Sequence, residues 1–543
     1  MEELINETTN EVTTLSHEEI STQANEIVQR EESIYGRVIP VLAKTGILSS
    51  DILSALSNNE DGDAWLFIAL QKNRYCYDHS TGQWFKWSSH YWEEDIVGDV
   101  ITGLDDVVDQ YMDETKRQAL IRQMANKSGK QEDAKKAEEL EKKLLKRIYE
   151  LQSVYRKKNV LYLAVQGSDS LGITGKEWDL NPWLLACKTG VIDLKTGEVR
   201  PGQPEDYIKT VVPTEWKGLD EQAPRWESFL SEIFEEKEDI VAYIHRLFGY
   251  SITGVTQDHV IAILWGQHGR NGKGTLLETL SFVLGPIVGP ILSDMLLSDG
   301  RAKSSAGPSP DVMALRGRRL AWAGETEEGR KLAVEKVKLY TGNDTLVGRP
   351  PHGKRMVEFR PTHKLFLLTN HRPQISPTEY ALWKRLHLIP FNLSYVDEPE
   401  KPFEKKRDPE LPEKLQAEAS GILASLVRGC LEWQRMGGLC PPDDVKNATV
   451  QYQKDEDILG DFTAECVQEK PDGEVRAKDF YITYKHWCQT YGHMPLSGTK
   501  FGKQMAERYT KIGDGKGNVY KGIVLIVFYE DVKIEDGGTN FVS

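Results

Sequence analysis

A glycine-rich loop that ends in a lysine is the segment of this chain whose residue types most clearly indicate chemistry. It follows an apolar stretch, Val260–Trp265, and leads directly into an amphipathic segment. Glycines let the backbone N–H groups face phosphate oxygens, the start of a helix adds the positive end of its dipole, and a lysine can reach the terminal phosphates. The residues of this predicted phosphate-binding loop are Gly266, Gly269, Arg270, Asn271, Gly272, Lys273, Gly274 and Thr275.

The spacing of the loop departs from the pattern G-x-x-x-x-G-K-[ST] in two places. Gln267 stands where the first glycine is expected, and Gly274 stands where the pattern has a hydroxyl. The next residue, Thr275, is the candidate to bind magnesium through its hydroxyl group. A glycine-rich turn with a chance Gly-Lys pair is the alternative interpretation.

Two carboxylates follow the next apolar strand. Glu325 and Glu327 come directly after residues 319–324. An α/β sheet presents its catalytic groups at the C-terminal ends of its strands, and a nucleotide site needs an acidic group for the metal and the attacking water. We expect Glu325 to have this role and rank Glu327 second, with a solvated acidic turn as the alternative.

A third apolar strand, residues 364–369, leads to Asn370. The amide of Asn370 would orient a water molecule or sense the terminal phosphate, and an ordinary turn asparagine is the alternative. Farther along, the basic pair Lys384 and Arg385 precedes another apolar strand.

The elements that must position these residues alternate between strands and helices over residues 258–391. Apolar runs predict strands at Val260–Trp265, Leu320–Ala323 and Leu365–Thr369, and helical spacing predicts helices at Gly274–Leu284 and Arg330–Thr341. This alternation indicates an α/β unit. Two amphipathic helices are predicted upstream, within residues 226–247.

The flanking regions have other patterns. Aromatic residues on both sides of His79–Gly82 predict a hairpin, residues 114–158 predict solvated helices, and residues 178–201 predict short strands. A helical stretch is predicted at Leu411–Gln434. Near the C-terminus, helices at Ala477–Tyr491 and Gly498–Arg508 precede two strands around Gly513–Gly517. This order favours a winged helix, with a small α+β domain without DNA contacts as the alternative.

Length and charge limit the classes of protein that fit. A chain of 543 residues is long enough for three or four domains. The net charge is −15, and residues 1–35 alone carry nine glutamates and one arginine. The rest of the chain is mildly acidic, which argues against a basic exterior that coats nucleic acid and leaves room for a basic channel.

Apolar runs and cysteine spacing exclude further classes. Every apolar run is far shorter than the roughly 20 residues that span a bilayer, and no secretory signal is visible. We therefore expect no membrane partner and a cytoplasmic location. The six cysteines form no C-x-x-C pair, which argues against a zinc ribbon and a disulfide framework.

Five motifs in order resemble a known family. They are GRNGKGT (269–275), ETEEGRKL (325–332), TGNDTLVGR (341–349), LLTNHRP (367–373) and WKRLHLIPF (383–391). Together they look like the helicase part of phage and plasmid primase-helicases, which are related to the poxvirus primase-helicase and belong to helicase superfamily 3. The resemblance covers roughly residues 60–530. Residues 1–220 show no paired-acid motif of a polymerase-type primase.

The resemblance implies roles for the residues of the nucleotide site. ATP and Mg²⁺ would be the cofactors. Lys273 would bind the triphosphate and Thr275 the magnesium. Glu325 would act on the metal and the water, and Asn370 would have the sensor role. Arg385 would be the finger that reaches the nucleotide of a neighbouring subunit, with Lys384 as the weaker candidate.

The resemblance also implies partners. Superfamily 3 proteins assemble as rings, usually hexamers, around single-stranded DNA, and forked DNA would be the substrate. A DNA-binding hairpin is expected between the second and third strands, with Arg349, His352, Lys354 and Arg355 as its contacts; an unrelated surface turn is the alternative. A primase or polymerase encoded elsewhere is a candidate partner, and the location would be the bacterial host cytoplasm if a phage or plasmid encodes the protein.

These inferences predict a multidomain α/β protein. The units are an acidic flexible segment (1–60), an α+β domain with a helical insertion (61–220), a P-loop AAA+ ATPase of superfamily 3 type (221–395), a helical linker region (396–455) and a winged-helix-like domain (456–543). The expected function is an ATP-dependent DNA helicase acting in replication of a phage, plasmid or integrated element. The alternatives are an ATP-switched DNA-binding initiator that does not unwind DNA and a nucleotide kinase, which shares Gly-Lys-Gly-Thr but usually begins with its loop.

Overall fold

The computed structural model describes residues 46–298, 309–324, 329–349, 356–513 and 517–527. Within them the chain builds an N-terminal unit of helices and small sheets, a central unit around a parallel sheet, and a C-terminal α+β unit. The predicted multidomain α/β architecture with an N-terminal α+β region is confirmed. In this part of the chain, no helix is long and apolar enough to cross a membrane.

The N-terminal unit combines helices with two small sheets. Its helices are α1 (Ser49–Ser57), α2 (Asn59–Gln71), α3 (Gly103–Lys127), α4 (Gln131–Leu151) and α5 (Val154–Leu163). Its strands are β1 (Tyr75–Asp78), β2 (Gln83–Ser88), β3 (Tyr91–Glu94), β4 (Gly172–Ile173), β5 (Leu184–Cys187), β6 (Gly190–Asp193), β7 (Glu198–Arg200) and β8 (Val211–Val212). The strand orders are β3-β2-β1-β4 and β7-β6-β5-β8. The hairpin predicted at His79–Gly82 is confirmed, because Asp78 of β1 pairs with Gln83 of β2.

A buried charge network holds the helices of this unit together. Asp63 of α2 is fully buried, and its carboxylate accepts a hydrogen bond from the Tyr111 hydroxyl of α3 at 2.7 Å. The same carboxylate pairs with Arg147 of α4 at 2.8 Å and with Arg156 of α5 at 2.7 Å. Buried charges are tolerated only when they are paired and hydrogen-bonded. The network therefore fixes the orientation of α5, with the Arg156 side facing inward.

Three strands of the central unit lie within one residue of the sequence prediction, at Ile261–Trp265, Leu320–Ala323 and Lys364–Thr369. Its helices are α6 (Pro224–Ile233), α7 (Glu238–Ser251), α8 (Lys273–Leu284), α9 (Pro310–Met313), α10 (Val334–Thr341), α11 (Tyr380–Trp383), α12 (Leu411–Ala417), α13 (Ala419–Met436) and α14 (Asp443–Asp455). Its strands are β9 (Ile261–Trp265), β10 (Val288–Ile291), β11 (Leu320–Ala323), β12 (Leu346–Gly348), β13 (Val357–Phe359), β14 (Lys364–Thr369), β15 (Leu386–Pro390), β16 (Ser394–Val396) and β17 (Glu404–Lys406).

Five of these strands form one parallel sheet with the order β10-β11-β14-β9-β15. Alternate side chains of β9 and β14 enter different cores. Ala262 and Phe366 pack on one face with helices α7, α8 and α13, while Ile263 and Leu367 pack on the other face with helices α10 and α14. Helices on both faces are what a parallel sheet requires, because its strands are apolar on both sides.

Helices α12, α13 and α14, which the sequence assigns to a linker region, contribute to these cores. Leu415, Ile422 and Trp433 belong to the first, and Tyr452 belongs to the second. Helices α7 and α13 approach closely through glycine. A Cβ atom added at Gly249 would lie 2.1 Å from the backbone nitrogen of Cys430.

The C-terminal unit has its own core and its own antiparallel sheet. Its elements are α15 (Ile458–Cys466), β18 (Val467–Arg476), α16 (Ala477–Thr490), α17 (Gly498–Arg508), β19 (Lys511–Gly513) and β20 (Asn518–Leu525). The strand order is β18-β20-β19, and Phe462, Phe480 and Tyr520 lie at the centre of the core. The predicted order of two helices followed by two strands is confirmed.

Candidate functional site

The glycine-rich loop connects the C-terminal end of β9 to the first residue of α8, and two of its glycines are required by close contacts. A Cβ atom at Gly266 would lie 2.1 Å from the Asn271 amide nitrogen and 2.6 Å from the carbonyl oxygen of Phe391. Gly272 has a φ of +88° and is the residue that precedes α8. The backbone therefore turns sharply from strand to helix, as a phosphate-binding loop requires.

The side chains of Lys273 and Asn370 meet at this edge of the sheet. Lys273 begins α8 and donates a hydrogen bond from Nζ to Oδ1 of Asn370 at 2.9 Å. Asn370 directly follows β14, which lies next to β9 in the sheet with Thr369 opposite Trp265. The Lys273 side chain is buried, so its charge is held in a partly desolvated environment. The structure thus brings together two of the predicted site residues.

Residues of strand β16 donate hydrogen bonds to the glycine-rich loop. The Ser394 hydroxyl donates to the carbonyl oxygen of Gly269 at 2.9 Å, and the backbone N–H of Tyr395 donates to the carbonyl oxygen of Arg270 at 2.7 Å. Inside the loop, the Asn271 amide donates to the carbonyl oxygen of His268 at 2.7 Å. These bonds fix the loop in one conformation before a ligand enters.

The loop forms one wall of a cavity of about 640 Å³. This volume lies in the range of about 300–1,000 Å³ that is usual for small-molecule sites. The other walls come from α6, from β11 and β14, and from the segment that runs from β16 to α12. The residues outside the glycine-rich loop that line it include Arg225, Phe229, Glu232, Trp322, Gly324, Asn370, Tyr395, Lys406, Arg407, Asp408 and Leu411.

Two buried donors of the cavity wall have no hydrogen-bond partner among the described residues. They are the indole Nε1 of Trp322 and the hydroxyl of Tyr395. Burial raises the pKa of Tyr395 to about 12, and nearby Glu232 acts in the same direction. The hydroxyl therefore keeps its proton at neutral pH and is able to donate it to a ligand.

The acidic pair of the predicted site lies outside the described residues. Gly324, the last described residue before Glu325 and Glu327, lines the cavity, as does Thr275. Among the described residues, no group of three or more His, Cys, Asp or Glu side chains could hold a metal ion.

Arg385 lies at the opposite edge of the sheet from the cavity of its own chain. It precedes β15, and its carbonyl oxygen accepts from the N–H of Ile261 at the start of β9. Its guanidinium donates to the carbonyl oxygen of Lys338 and to the hydroxyl of Thr341, each at 2.9 Å. Both acceptors belong to the last turn of α10. The neighbouring Lys384 is exposed, with Nζ 4.6 Å from the ring centroid of Tyr380.

The predicted DNA-binding residues lie on the connection between β12 and β13. These strands pair antiparallel, with Gly348 opposite Val357. Arg349 is the first residue after β12, and its backbone N–H donates to the Ser309 hydroxyl at 2.8 Å. His352, Lys354 and Arg355 lie outside the described residues.

Several residues that line the cavity have no motif in the sequence. Arg225 comes from α6, Tyr395 from β16, and Arg407 directly follows β17. Arg225 forms a bidentate pair with Glu232 at 3.1 and 3.2 Å. The nearest sequence signal is the amphipathic spacing of residues 226–247, which predicts a helix but not its proximity to the loop.

Comparisons with known proteins agree with the resemblance that the motifs indicate. The family model described as "D5 N terminal like" matches residues 64–235, and the model described as "Poxvirus D5 protein-like" matches residues 454–533. The first covers most of the N-terminal unit and helix α6, and the second covers the C-terminal unit. The resemblance to the poxvirus-type primase-helicases is therefore confirmed on both sides of the central sheet.

Viral proteins named as helicases are similar over more than half of the chain. The "Putative helicase L207/L206" of Acanthamoeba polyphaga mimivirus is 28% identical over 327 residues, which are 58% of this chain and 33% of that protein. The "Putative helicase 121R" of Invertebrate iridescent virus 3 is 28% identical over 335 residues, 57% of this chain and 35% of that protein. The match thus spans about one third of the length of each relative.

Among solved structures, the apo C terminal region of NrS-1 is similar with a TM-score of 0.35 and 16% identity, over 48% of this chain and 59% of that chain.

Proposed function

We propose that the protein is an ATP-dependent DNA helicase of superfamily 3 type that acts in the replication of a viral or mobile DNA element. The single observation that carries the proposal is the hydrogen bond from Lys273 to Asn370. Both residues line the cavity next to the glycine-rich loop, and the cavity has the size of a small-molecule site. In open α/β sheets, ligands bind outside the carboxyl ends of the strands, and this contact lies at that edge. The helicase names of the viral relatives support the same class of activity.

The residues of the cavity suit a nucleoside triphosphate. Residues 270–272 lead into the start of α8, where the helix dipole would favour phosphate, and Lys273 would neutralise the phosphate charge that moves during transfer. Bound Mg²⁺ would supply charge neutralisation between the phosphates, held by Thr275 and Glu325. Asn370 would keep the Lys273 ammonium directed at the terminal phosphate.

Arg385 suits a role toward a neighbouring subunit. It lies at the sheet edge opposite the cavity of its own chain, so it would meet a nucleotide only across an interface. To do so, its guanidinium would exchange its contacts with Lys338 and Thr341 for the phosphate of the neighbour. A ring in which each ATP lies between two subunits satisfies this geometry and gives single-stranded DNA a central path.

Two further parts of the chain suit DNA contacts in such a ring. Arg349 directly follows β12, which pairs antiparallel with β13. The C-terminal unit, with α16, α17 and a three-stranded antiparallel sheet, has the order of elements of a winged helix. Both would act on the DNA backbone and are expected to give salt-dependent binding.

Unwinding of a labelled forked DNA by the full chain, with and without ATP, tests the proposal. Lys273→Ala is expected to abolish both ATP hydrolysis and strand separation, while Lys143→Ala, at an exposed lysine of α4, is expected to keep both. An initiator that only switches its assembly would hydrolyse ATP without separating strands. A kinase would transfer phosphate to a nucleoside monophosphate. Either result with the wild-type protein would overturn the helicase proposal.

A further inference from the structure

Helix α5 carries two exposed tyrosines on one face. Tyr155 and Tyr162 have 76% and 67% of their surface exposed. They lie seven residues apart, so they share one face of the helix with about 10 Å between them along its axis. Lys158 is exposed and lies between them on the same face. We call these three residues the tyrosine stripe.

The tyrosine stripe is accessible in this structure. Among the described residues, neither tyrosine hydroxyl has a hydrogen-bond partner and Lys158 has no ion pair. The opposite face of α5 is fixed instead, because Arg156 is buried in the Asp63 network and Val160 lies in the core of the N-terminal unit. The stripe therefore faces solvent on a helix that is held rigidly from behind.

Lys158 supplies the positive charge of the tyrosine stripe. The protein carries a net charge of −15, yet residues 151–168 contain no aspartate or glutamate and include Arg156, Lys157 and Lys158. Lys157 is already paired with Asp105 at 3.9 Å, which leaves Lys158 as the cation of the stripe. Arg156 is buried and paired with Asp63 and Glu150, so Lys158 is the single cation that the stripe presents to a polyanion.

We propose that the tyrosine stripe binds single-stranded nucleic acid, with bases stacked on Tyr155 and Tyr162 and a backbone phosphate at Lys158. Aromatic rings with an intervening cation match the alternation of bases and phosphates, and stacking is tolerant of sequence because every base has a flat face. The inference rests on the proposed function only for the kind of ligand. It requires neither ATP nor the hairpin of β12 and β13, so it adds a third nucleic-acid contact, on the N-terminal unit, to the two proposed above.

Equilibrium binding of a fluorescent oligothymidylate to the full chain without ATP tests the proposal. The Tyr155→Ala/Tyr162→Ala double variant is expected to bind the oligonucleotide more weakly. Each ring that is removed is expected to lower the affinity at least about fivefold, because one base loses its stacking partner. The matched Tyr155→Phe/Tyr162→Phe variant keeps both rings and is expected to bind like wild type. Lys158→Ala is expected to reduce the slope of log affinity against log salt by about 0.7, whereas the tyrosine variants leave that slope unchanged.

The possible outcomes separate this inference from others. Equal affinity of the wild-type and double alanine proteins would overturn it. A change in sedimentation with unchanged oligonucleotide affinity would also overturn it, because the stripe would then be a contact between protein chains. If the double alanine variant proved unstable, Lys158→Glu, which keeps both rings, would still be expected to weaken binding, and wild-type affinity would refute the proposal. Failure of the helicase proposal has a different signature, namely no strand separation by wild type while binding that depends on the stripe persists.

Discussion

The ammonium group of Lys273 and the amide oxygen of Asn370 are 2.9 Å apart, although the two residues are separated by 97 positions in the chain. The contact exists because β9 and β14 are neighbours in the parallel sheet and both end at the same edge. In the proposed nucleotide site, it would fix the direction of a buried cation before a phosphate binds. Preorganised charge of this kind stabilises transferring phosphate without reorganisation during the reaction.

Substitutions of Asn370 are expected to separate positioning from binding. Asn370→Ala removes the acceptor for Lys273 and is expected to lower kcat by about 10²–10³, the effect of losing one preorganised hydrogen bond. Asn370→Asp is expected to raise KM for ATP instead, because a carboxylate pairs with Lys273 and competes with phosphate. Steady-state ATP hydrolysis measures both, with Asn126→Ala, at an exposed position of α3, as the control. If both variants kept wild-type kcat and KM, the role of Asn370 would be wrong.

The acidic pair after β11 is expected to divide into one essential and one dispensable residue. Glu325→Gln is expected to bind ATP and to hydrolyse it very slowly, because metal and nucleotide remain while activation of water is lost. Glu327→Gln is expected to keep most of its turnover. Nucleotide binding by fluorescence and turnover by phosphate release distinguish the two. The reverse result would exchange the two roles.

Arg385 is expected to act on a neighbouring subunit. An arginine supplied in this way contributes on the order of 10³–10⁵ to phosphoryl transfer, so Arg385→Ala is expected to be nearly inactive. Mixing it with Lys273→Ala protein is expected to give more activity than the sum of the two, because some interfaces then contain both groups. Thr341→Val is the matched control, since it removes an acceptor of Arg385 but keeps the guanidinium. Activity equal to the sum in demonstrably mixed assemblies would show that Arg385 does not act across an interface.

The hydroxyl of Tyr395 is expected to contribute to nucleotide affinity. It is buried in the cavity wall with no partner among the described residues, so a ligand would satisfy it. Tyr395→Phe is expected to weaken nucleotide binding by about 0.5–1.5 kcal/mol, the net value of one hydrogen bond. Tyr380→Phe, at an exposed tyrosine, is the control. Unchanged affinity of Tyr395→Phe would exclude the hydroxyl from ligand binding.

The contact between α7 and α13 is expected to tolerate no side chain at Gly249. Gly249→Ala would force a Cβ atom to within 2.1 Å of the Cys430 nitrogen, and overpacking of this kind costs about 1–3 kcal/mol or more. Gly502→Ala in α17 is the contrasting variant. Its Cβ atom would meet nothing closer than 3.7 Å, so it is expected to stabilise the protein by about 0.4–1 kcal/mol. Thermal unfolding measures both, and equal effects would contradict the packing described.

The sequence predicts the parts of the site that depend on local patterns. Apolar runs identify the strands, and residues that follow strand ends are expected to share one edge of a parallel sheet, which is how the proximity of Lys273 to Asn370 could be foreseen. The far wall of the cavity could not be foreseen. Arg225, Tyr395 and Arg407 reach it through tertiary packing of segments that carry no motif of their own.

The packing of the helices after residue 395 could not be predicted from the sequence for the same reason. Amphipathic spacing predicts that they are helices, but it does not specify the surface that they cover. The contacts of Arg385 with the last turn of α10 were likewise not predictable, because they depend on how that helix lies against β15.

The burial of α12, α13 and α14 in the cores on the two faces of the sheet determines how the central unit could be produced as a separate fragment. A polypeptide ending at residue 395 would leave the two cores without the side chains of Ile422, Trp433 and Tyr452, and it would present a broad apolar surface to water. Exposed surfaces of that kind promote aggregation. A fragment that extends through Asp455 would keep both faces of the sheet covered, so its soluble expression would be expected where the shorter fragment precipitates.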